Sequence, residues 1–181
     1  RDFCLSRGLG DVYKRQILFN GNGMERVDVE QRAEKARRFF LEGYNCAQAV
    51  VLAYCDLFDI SPSLAASISA PLGGGMGRLR EVCGAVSGMF MVAGLFYKND
   101  IPSDMTKRKI VYSTVQDLAE KSKALNGSII CRELLGLDHK SDSPTPEART
   151  ETYYKRRPCA DYVASAARLI GEKLNEVSEE M

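Results

Sequence analysis

Residues 73–88 read GGGMGRLREVCGAVSG, and this stretch decides how the chain folds. Its glycine-rich first half predicts a bend that leads into a helix, with Cys83 in the first helical turn. Gly84 and Gly88 are four residues apart, so they share one face of that helix and let a neighbouring backbone or a bulky inorganic group come close. We therefore expect a site at Cys83 whose surroundings include four glycines: Gly75, Gly77, Gly84 and Gly88.

Three other cysteines also lie within about one turn of a predicted helix N-terminus: Cys46, Cys131 and Cys159. The free N–H groups and the dipole at a helix N-terminus favour negative charge, which stabilises the thiolate that binds metal or acts as a nucleophile. One ligand from each of four helices is a known way to build a site in a helical bundle. We therefore expect the four thiols to meet at one site.

The spacing of the four cysteines excludes several familiar sites. The gaps are 37, 48 and 28 residues, and no two cysteines form a C-x-x-C pair. This argues against a thioredoxin-like dithiol, a zinc knuckle and a c-type haem site. Common ferredoxins cluster three ligands locally, which this chain does not do. On spacing alone, four separate packing thiols are the alternative interpretation.

Cys55 is predicted to lie outside the site. It is nine residues from Cys46, which is half a turn out of phase at about 100° per residue. A free cysteine commonly packs as a small hydrophobic side chain. We therefore interpret Cys55 as a core residue.

Composition limits the function classes. The chain has 181 residues, of which 45% are hydrophobic and 27% charged, with a formal net charge of +1. These values are typical of one globular domain and give no electrostatic case for a nucleic-acid partner. Sixteen uncharged residues lie between Glu81 and Lys98, too few to span a bilayer comfortably. We expect a central buried helix there and no membrane span.

The first residues do not look like part of the domain. Residues 1–16 have no hydrophobic period, and DVYKRQ at 11–16 resembles a translated sequencing-library adapter. We expect a non-native or disordered leader over 1–23, with Cys4 in it, and a single domain over 24–181. The leader lacks the apolar core of a secretory signal, so the expected compartment is the cytoplasm, where clustered cysteines bind metal or do redox work more often than they form structural disulfides.

Capping residues and hydrophobic periodicity predict an all-α, single-domain bundle of about six helices. The predicted starts are Asp28, Asn45, Ser61, Cys83, Asp104, Ser128 and Pro158. The helix after Asp104 carries a stripe that we expect to pack inward: Ile110, Val111, Val115, Leu118, Ser122 and Leu125. Residues 138–152 are predicted to form a polar, proline-bearing surface loop.

The chain resembles the redox-active proteins named C_GCAxxG_C_C, which have four cysteines, the second within a CGAxxG motif. Residues 83–88 read CGAVSG and match that motif. Cys46 in GYNCAQAV, Cys131 in CRELLG and Cys159 in RPCADYV fill the other positions in order, over roughly residues 30–172. The resemblance implies a redox role, and a similar domain occurs in a split-Soret cytochrome with an iron–sulfur centre. It implies no known substrate.

These observations favour an iron–sulfur cluster, 2Fe-2S or 4Fe-4S, bound by Cys46, Cys83, Cys131 and Cys159 for electron transfer or redox sensing. If the protein is an enzyme, we expect an oxidoreductase. Basic residues beside two of the cysteines would offset thiolate charge and help dock an acidic redox partner: Arg78, Arg80, Lys155, Arg156 and Arg157. A homodimer is a further expected association.

Three alternatives stay open. The first is a thiol–disulfide protein without metal, in which two of the four thiols react. The second is a structural zinc site with four cysteine ligands, and the third is a transporter-associated binding module. We expect no haem, and no nucleotide, because GGGMG follows no strand and matches neither the G-x-G-x-x-G pattern nor the end of a P-loop.

Overall fold

The computed structural model describes residues 26–180, so the leader predicted over 1–23 lies outside the described residues. The described part forms a single all-α bundle without a β-strand, as the sequence predicts. Six of its helices have eight residues or more. The helices are α1 (Val29–Leu41), α2 (Cys46–Tyr54), α3 (Pro62–Ser69), α4 (Gly84–Tyr97), α5 (Met105–Asn126), α6 (Cys131–Leu134), α7 (Glu151–Arg156) and α8 (Cys159–Glu180).

Side-chain caps begin four of the helices where the sequence predicts them. The carboxylates of Asp28 and Asp104 accept backbone N–H groups at the starts of α1 and α5, and Ser61 caps α3. Asn45 forms a complete capping box with Gln48 at the start of α2. Each such cap satisfies backbone donors that have no partner inside the helix.

Two predicted helix starts need correction. The helix predicted from Ser128 begins only at Cys131, because the Ser128 hydroxyl accepts the N–H of Ile130 in a preceding turn instead of capping the helix. Cys83 is the N-cap residue of α4 and thus stands just before its first turn.

Helix α4 is the centre of the bundle. None of its residues is exposed, and the stretch from Gly84 to Met89 is buried throughout. Helices α2, α5 and α8 pack around it, and α1 packs against α2 and α8. Across the bundle, the Tyr54 hydroxyl of α2 donates to the carbonyl oxygen of Ala167 in α8 at 2.7 Å. The predicted buried central helix is therefore confirmed.

The inward stripe predicted for α5 is only partly correct. Leu118 and Ser122 are buried, but Ile110 is 41% and Leu125 66% exposed. The helix has 22 residues and the helix it packs on, α4, has 14, so α5 is roughly 12 Å longer at 1.5 Å per residue. Its ends extend beyond the core, and the residues near them stay in solvent.

The face that Gly84 and Gly88 share is filled by α2. A Cβ atom at Gly84 would lie 2.9 Å from the carbonyl oxygen of Leu72 and 3.2 Å from the Cys46 Cβ. A Cβ atom at Gly88 would lie 2.9 Å from the carbonyl oxygen of Ala47. The sequence allows either a neighbouring backbone or a bulky inorganic group on this face, and the structure has a neighbouring backbone. The close approach of α2 sets Cys46 beside the start of α4.

A left-handed turn precedes α4. Six residues between 74 and 80 have φ between +59° and +71°: Gly74, Gly75, Met76, Gly77, Arg78 and Arg80. Glycine readily adopts left-handed backbone, which costs energy in other residues. Three residues of this turn are not glycine and carry this strain, so contacts with the surrounding structure must hold the turn in place. The turn lets the Glu81 N–H donate to the Gly75 carbonyl oxygen at 3.2 Å.

After the turn, residues 81–83 pair with residues 129–131. The Cys83 N–H donates to the Ile129 carbonyl oxygen at 2.8 Å, and the Cys131 N–H donates to the Glu81 carbonyl oxygen at 2.6 Å. These bonds flank an isolated antiparallel bridge between Val82 and Ile130. They hold the start of α6, and with it Cys131, next to the start of α4.

The packing of α2 on α4 predicts a penalty for any side chain at Gly88. Gly88→Ala should lower the free energy of unfolding by about 1–3 kcal/mol, because its methyl group overlaps the α2 backbone. Gly94 is the matched control, since it lies in the same helix and an added Cβ there would meet no neighbouring atom within 4 Å. Gly94→Ala should be neutral or stabilising by about 0.5–1 kcal/mol. Urea denaturation compares the two, and equal losses would refute the close approach.

A second pair of glycines tests the turn. Gly75 has φ +71°, and its added Cβ would lie 2.7 Å from the Cys131 Cβ, whereas Gly136 has φ +61° and open space. Alanine at either position should cost about 1–2 kcal/mol of left-handed strain. Only Gly75→Ala should add an overpacking cost of about 1–3 kcal/mol. If both variants unfold at the same urea concentration, the turn does not pack closely against Cys131.

Candidate functional site

The structure brings together the starts of four helices, and each start carries a cysteine. Cys46, Cys131 and Cys159 are the first residues of α2, α6 and α8, and Cys83 is the N-cap of α4. All four are free thiols; Cys46 is half-buried and the other three are buried. The structure therefore places all four predicted cysteines at helix starts.

Neighbouring thiols and burial act on the protonation of Cys46, Cys83 and Cys131. The neighbouring Cys159 thiol, followed by burial, raises the pKa of Cys46 well above its usual value. Burial is the main cause that raises the pKa of Cys83 to about 12, with the Cys46 thiol adding to it. Burial also raises the pKa of Cys131, against the effect of Arg80. At these three thiols the thiolate stabilisation expected from a helix start is therefore outweighed by burial and by the neighbouring thiols.

Three of the four thiols line an open cavity of about 260 Å³: Cys46, Cys131 and Cys159. Cys83 does not line this cavity and is instead part of the buried hydrophobic core. Cys83 is the N-cap residue of α4, and its side chain makes no capping hydrogen bond. The arrangement therefore has one inner thiol and three that face the cavity.

Arginines form much of the cavity wall. Four line it: Arg78, Arg80, Arg149 and Arg157. Among the described residues, the only carboxylate in the lining is Glu147, which pairs with Arg157 at 2.5 Å, and Asp142 pairs with Arg78 and Arg80 from outside it. Four guanidinium groups thus face two carboxylates, and the site has an excess of positive charge that would compensate thiolates.

Arg80 is the most buried of these cations. Its side chain is 3% exposed, and its Nη1 atom lies 3.7 Å from the Cys131 Sγ. Its Nε donates to the Asp142 Oδ2 at 2.7 Å, and its Nη2 donates to the same oxygen. A buried charge needs such a partner, so Asp142 fixes the guanidinium against Cys131.

Arg149 is held by the bundle itself. It donates to the carbonyl oxygens of Phe40 at 2.9 Å and Tyr44 at 3.1 Å, at the end of α1. Its guanidinium carbon lies 4.4 Å from the centre of the Phe40 ring, a stacking geometry that Arg favours. Together these contacts fix a cation at the cavity without a carboxylate partner among them.

The sequence predicts some of the arginines that line the cavity. Arg78, Arg80 and Arg157 line the cavity as basic neighbours of the cysteines, whereas Lys155 pairs with Glu151 on the surface. Arg149 and Asp142 were missed, because they lie in a polar loop without a motif. The only signal was the loop's short distance in sequence from Cys159.

The four predicted glycines divide into two pairs. Gly77 lines the cavity and Gly75 contacts Cys131, so both adjoin the thiols. Gly84 and Gly88 instead face α2. Cys55 packs in a separate apolar cluster with Val51, Leu52 and Ala65, as its helical phase predicts.

Two findings concern the described residues as a whole. Between residues 26 and 180, no three or more His, Cys, Asp or Glu side chains are already arranged to hold a single metal ion. No helix in this range combines the length and hydropathy that crossing a membrane requires.

Comparison with known proteins agrees with the arrangement of cysteines. Neither the curated proteins nor the solved structures give a significant match to this chain. The family described as "Putative redox-active protein (C_GCAxxG_C_C)" matches residues 44–173. The matched region contains Cys46, Cys83, Cys131 and Cys159 together with the CGAVSG segment. The chain therefore belongs to the C_GCAxxG_C_C family of redox-active proteins.

Proposed function

We propose that this protein binds an iron–sulfur cluster through Cys46, Cys83, Cys131 and Cys159 and serves in electron transfer or redox sensing. The observation that carries the proposal is that Cys46, Cys131 and Cys159, each at a helix start, line one cavity together with four arginines, while Cys83 is near enough to interact with Cys46 and Cys131. Four cysteines serve either a 2Fe-2S or a 4Fe-4S cluster, and both carry out one-electron chemistry when bound.

The donor set fits such a cluster. Thiolates are the ligands that iron–sulfur clusters take, and these four cysteines stand at the starts of four separate helices. The raised pKa values of Cys46, Cys83 and Cys131 favour a bound cation over free thiolate. The buried Arg80 and the anchored Arg149 supply the compensating charge.

A side-chain donor would tune the potential of the site. The Arg80 Nη1 atom donates to the Cys131 sulfur at 3.7 Å. Hydrogen bonds to sulfur favour the more reduced, more negative state, so they raise a cluster's potential. Asp142 holds this guanidinium against Cys131 by accepting two hydrogen bonds from it.

The open side of the cavity is a suitable place for electron exchange. Arg149 and Arg157 line it, and the exposed Arg156 lines the adjoining groove. The positive charge of these three arginines would steer an acidic redox partner toward the cysteines. Because the site needs reduced thiols for loading, we expect it to work in a reducing compartment such as the cytoplasm.

Serine substitution of single cysteines tests the proposal. After anaerobic purification, each of Cys46→Ser, Cys83→Ser, Cys131→Ser and Cys159→Ser should lose most of its iron, acid-labile sulfide and visible absorption, because a cluster that lacks one ligand is exposed and unstable. Iron, sulfide and zinc analysis with absorption spectra measures this.

Cys55→Ser is the matched control. Cys55 is buried away from the four thiols and donates to the Leu52 carbonyl oxygen at 3.4 Å, a bond that a serine hydroxyl also makes. This variant should keep its iron. A parent protein with zinc and no iron would indicate the structural zinc site instead, and iron loss in Cys55→Ser equal to that of the other four would contradict the assignment.

A second candidate function is thiol–disulfide exchange, which one contact favours. The Cys159 thiol is the largest influence on the pKa of Cys46, so we take these two as the reactive pair. Forming a disulfide would remove two protons and two electrons, which a partner disulfide would accept as two thiols. In this case Cys83 and Cys131 would be structural.

The two candidates differ in iron-free protein. If exchange is the function, oxidised glutathione should join Cys46 to Cys159, and mass spectrometry of alkylated peptides should find this disulfide in Cys83→Ser and Cys131→Ser as well. It should be lost in Cys46→Ser and in Cys159→Ser. A disulfide that instead contains Cys83 or Cys131, or no disulfide at all, would exclude this candidate.

A further inference from the structure

An unbroken series of polar contacts leads from the buried Cys131 to the only histidine of the chain. The Arg80 Nη1 atom is 3.7 Å from the Cys131 Sγ, and the Arg80 Nε atom is 2.7 Å from the Asp142 Oδ2. The other carboxylate oxygen of Asp142 is 2.6 Å from His139 Nε2. On the far side of the ring, His139 Nδ1 is 2.9 Å from the Asp138 Oδ1.

Exposure rises steadily along this series. The side chain of Arg80 is 3% exposed, that of Asp142 17%, and that of His139 46%. The inner ion pair is thus shielded from water. In this shielded interior, charges interact more strongly than at the surface. The outer end is open to solvent and can exchange protons with it. The series therefore joins a shielded redox site to a titratable surface group.

We propose that electron uptake at the cysteine site is coupled to proton uptake at His139 through Arg80 and Asp142. This inference rests on the proposed function, because it requires a one-electron centre at the four cysteines. The balance is simple: one electron arrives from a one-electron donor protein, and one proton arrives from water at a ring nitrogen of His139. No bond between heavy atoms forms or breaks.

The charges alternate along the series, which sets the direction of the coupling. An added negative charge at the Cys131 sulfur attracts the Arg80 guanidinium more strongly and weakens its pairing with Asp142. The Asp142 carboxylate is then less compensated and favours a protonated His139. Direct attraction between the added electron and the imidazolium acts in the same direction. Reduction therefore strengthens proton binding at His139.

His139 has few other charged neighbours. Asp138 and Asp142 contact its two ring nitrogens, and their hydrogen bonds, with Asp138 as the larger cause, raise the pKa of His139 above its usual value. Glu147, Arg156 and Arg157 line the same groove as the ring. Among side chains, the imidazole of histidine is the one whose ordinary pKa lies near neutral pH, and the sequence has one histidine.

The sign of the pH dependence follows. Below the His139 pKa of the oxidised protein, the ring is protonated in both redox states and the midpoint potential is independent of pH. Between the pKa of the oxidised and that of the reduced protein, reduction takes up a proton, so the potential falls as pH rises. The fall is at most about 59 mV for each tenfold change in proton concentration. Above the reduced-state pKa the potential is level again.

The experiment is a redox titration of the iron-loaded protein across pH 5.5–8.5 with His139→Gln as the test variant. The parent should show a sloped region between two level regions, and His139→Gln should be level throughout. Lys140→Gln is the matched control, because it removes a positive charge from the neighbouring exposed position without removing the imidazole. It should keep the slope of the parent. A level parent, or an equal slope in His139→Gln, overturns the inference.

A second readout uses the single histidine directly. With one His in the sequence, the tag-free protein gives one set of imidazole signals by NMR, whose pH dependence yields the pKa of His139 in each redox state. The pKa should be higher in the reduced protein, and equal values overturn the coupling. Iron analysis separates the two failures: protein without iron overturns the proposed function and this inference together, whereas iron-loaded protein without coupling overturns this inference alone.

Discussion

The close approach of α2 to α4 at Gly84 and Gly88 is the contact on which the rest of the structure depends. Carbonyl oxygens of the neighbouring segments lie 2.9 Å from the positions that Cβ atoms would take, which leaves no room for a side chain. This approach sets the start of α2 beside the start of α4, and therefore Cys46 near Cys83. A bundle with ordinary helix separation would hold the two thiols further apart, because interhelical distance depends on side-chain size at the contact.

The other two thiols reach the site by different means. Cys131 is held by backbone hydrogen bonds between residues 129–131 and 81–83, which the left-handed turn before α4 makes available. Cys159 starts α8, a long helix that packs on α1, α2 and α4. One site thus depends on a glycine contact, a strained turn and a helix–helix interface, so it should be lost when the bundle loosens.

Electrostatics explains why the site needs its arginines. Burial raises the pKa of Cys83 and Cys131 and adds to the effect of Cys159 at Cys46, so these three thiols favour the neutral form. Thiolates with bound metal would place negative charge in the same shielded volume. Arg80 and Arg149 are fixed there by Asp142 and by the end of α1, respectively. The fold therefore supplies the positive charge before any ligand arrives.

The sequence by itself determined the all-α class, four helix caps, the buried central helix and the placement of cysteines at helix starts, because these depend on short-range signals such as capping residues and hydrophobic periodicity. The exclusion of Cys55 was also local, since it depended on helical phase. The tertiary structure alone decided that Cys46 lies beside Cys159, that α2 occupies the face of Gly84 and Gly88, and that Asp142 and Arg149 complete the site. These contacts join residues far apart in sequence, and only the packing of the bundle brings them within reach.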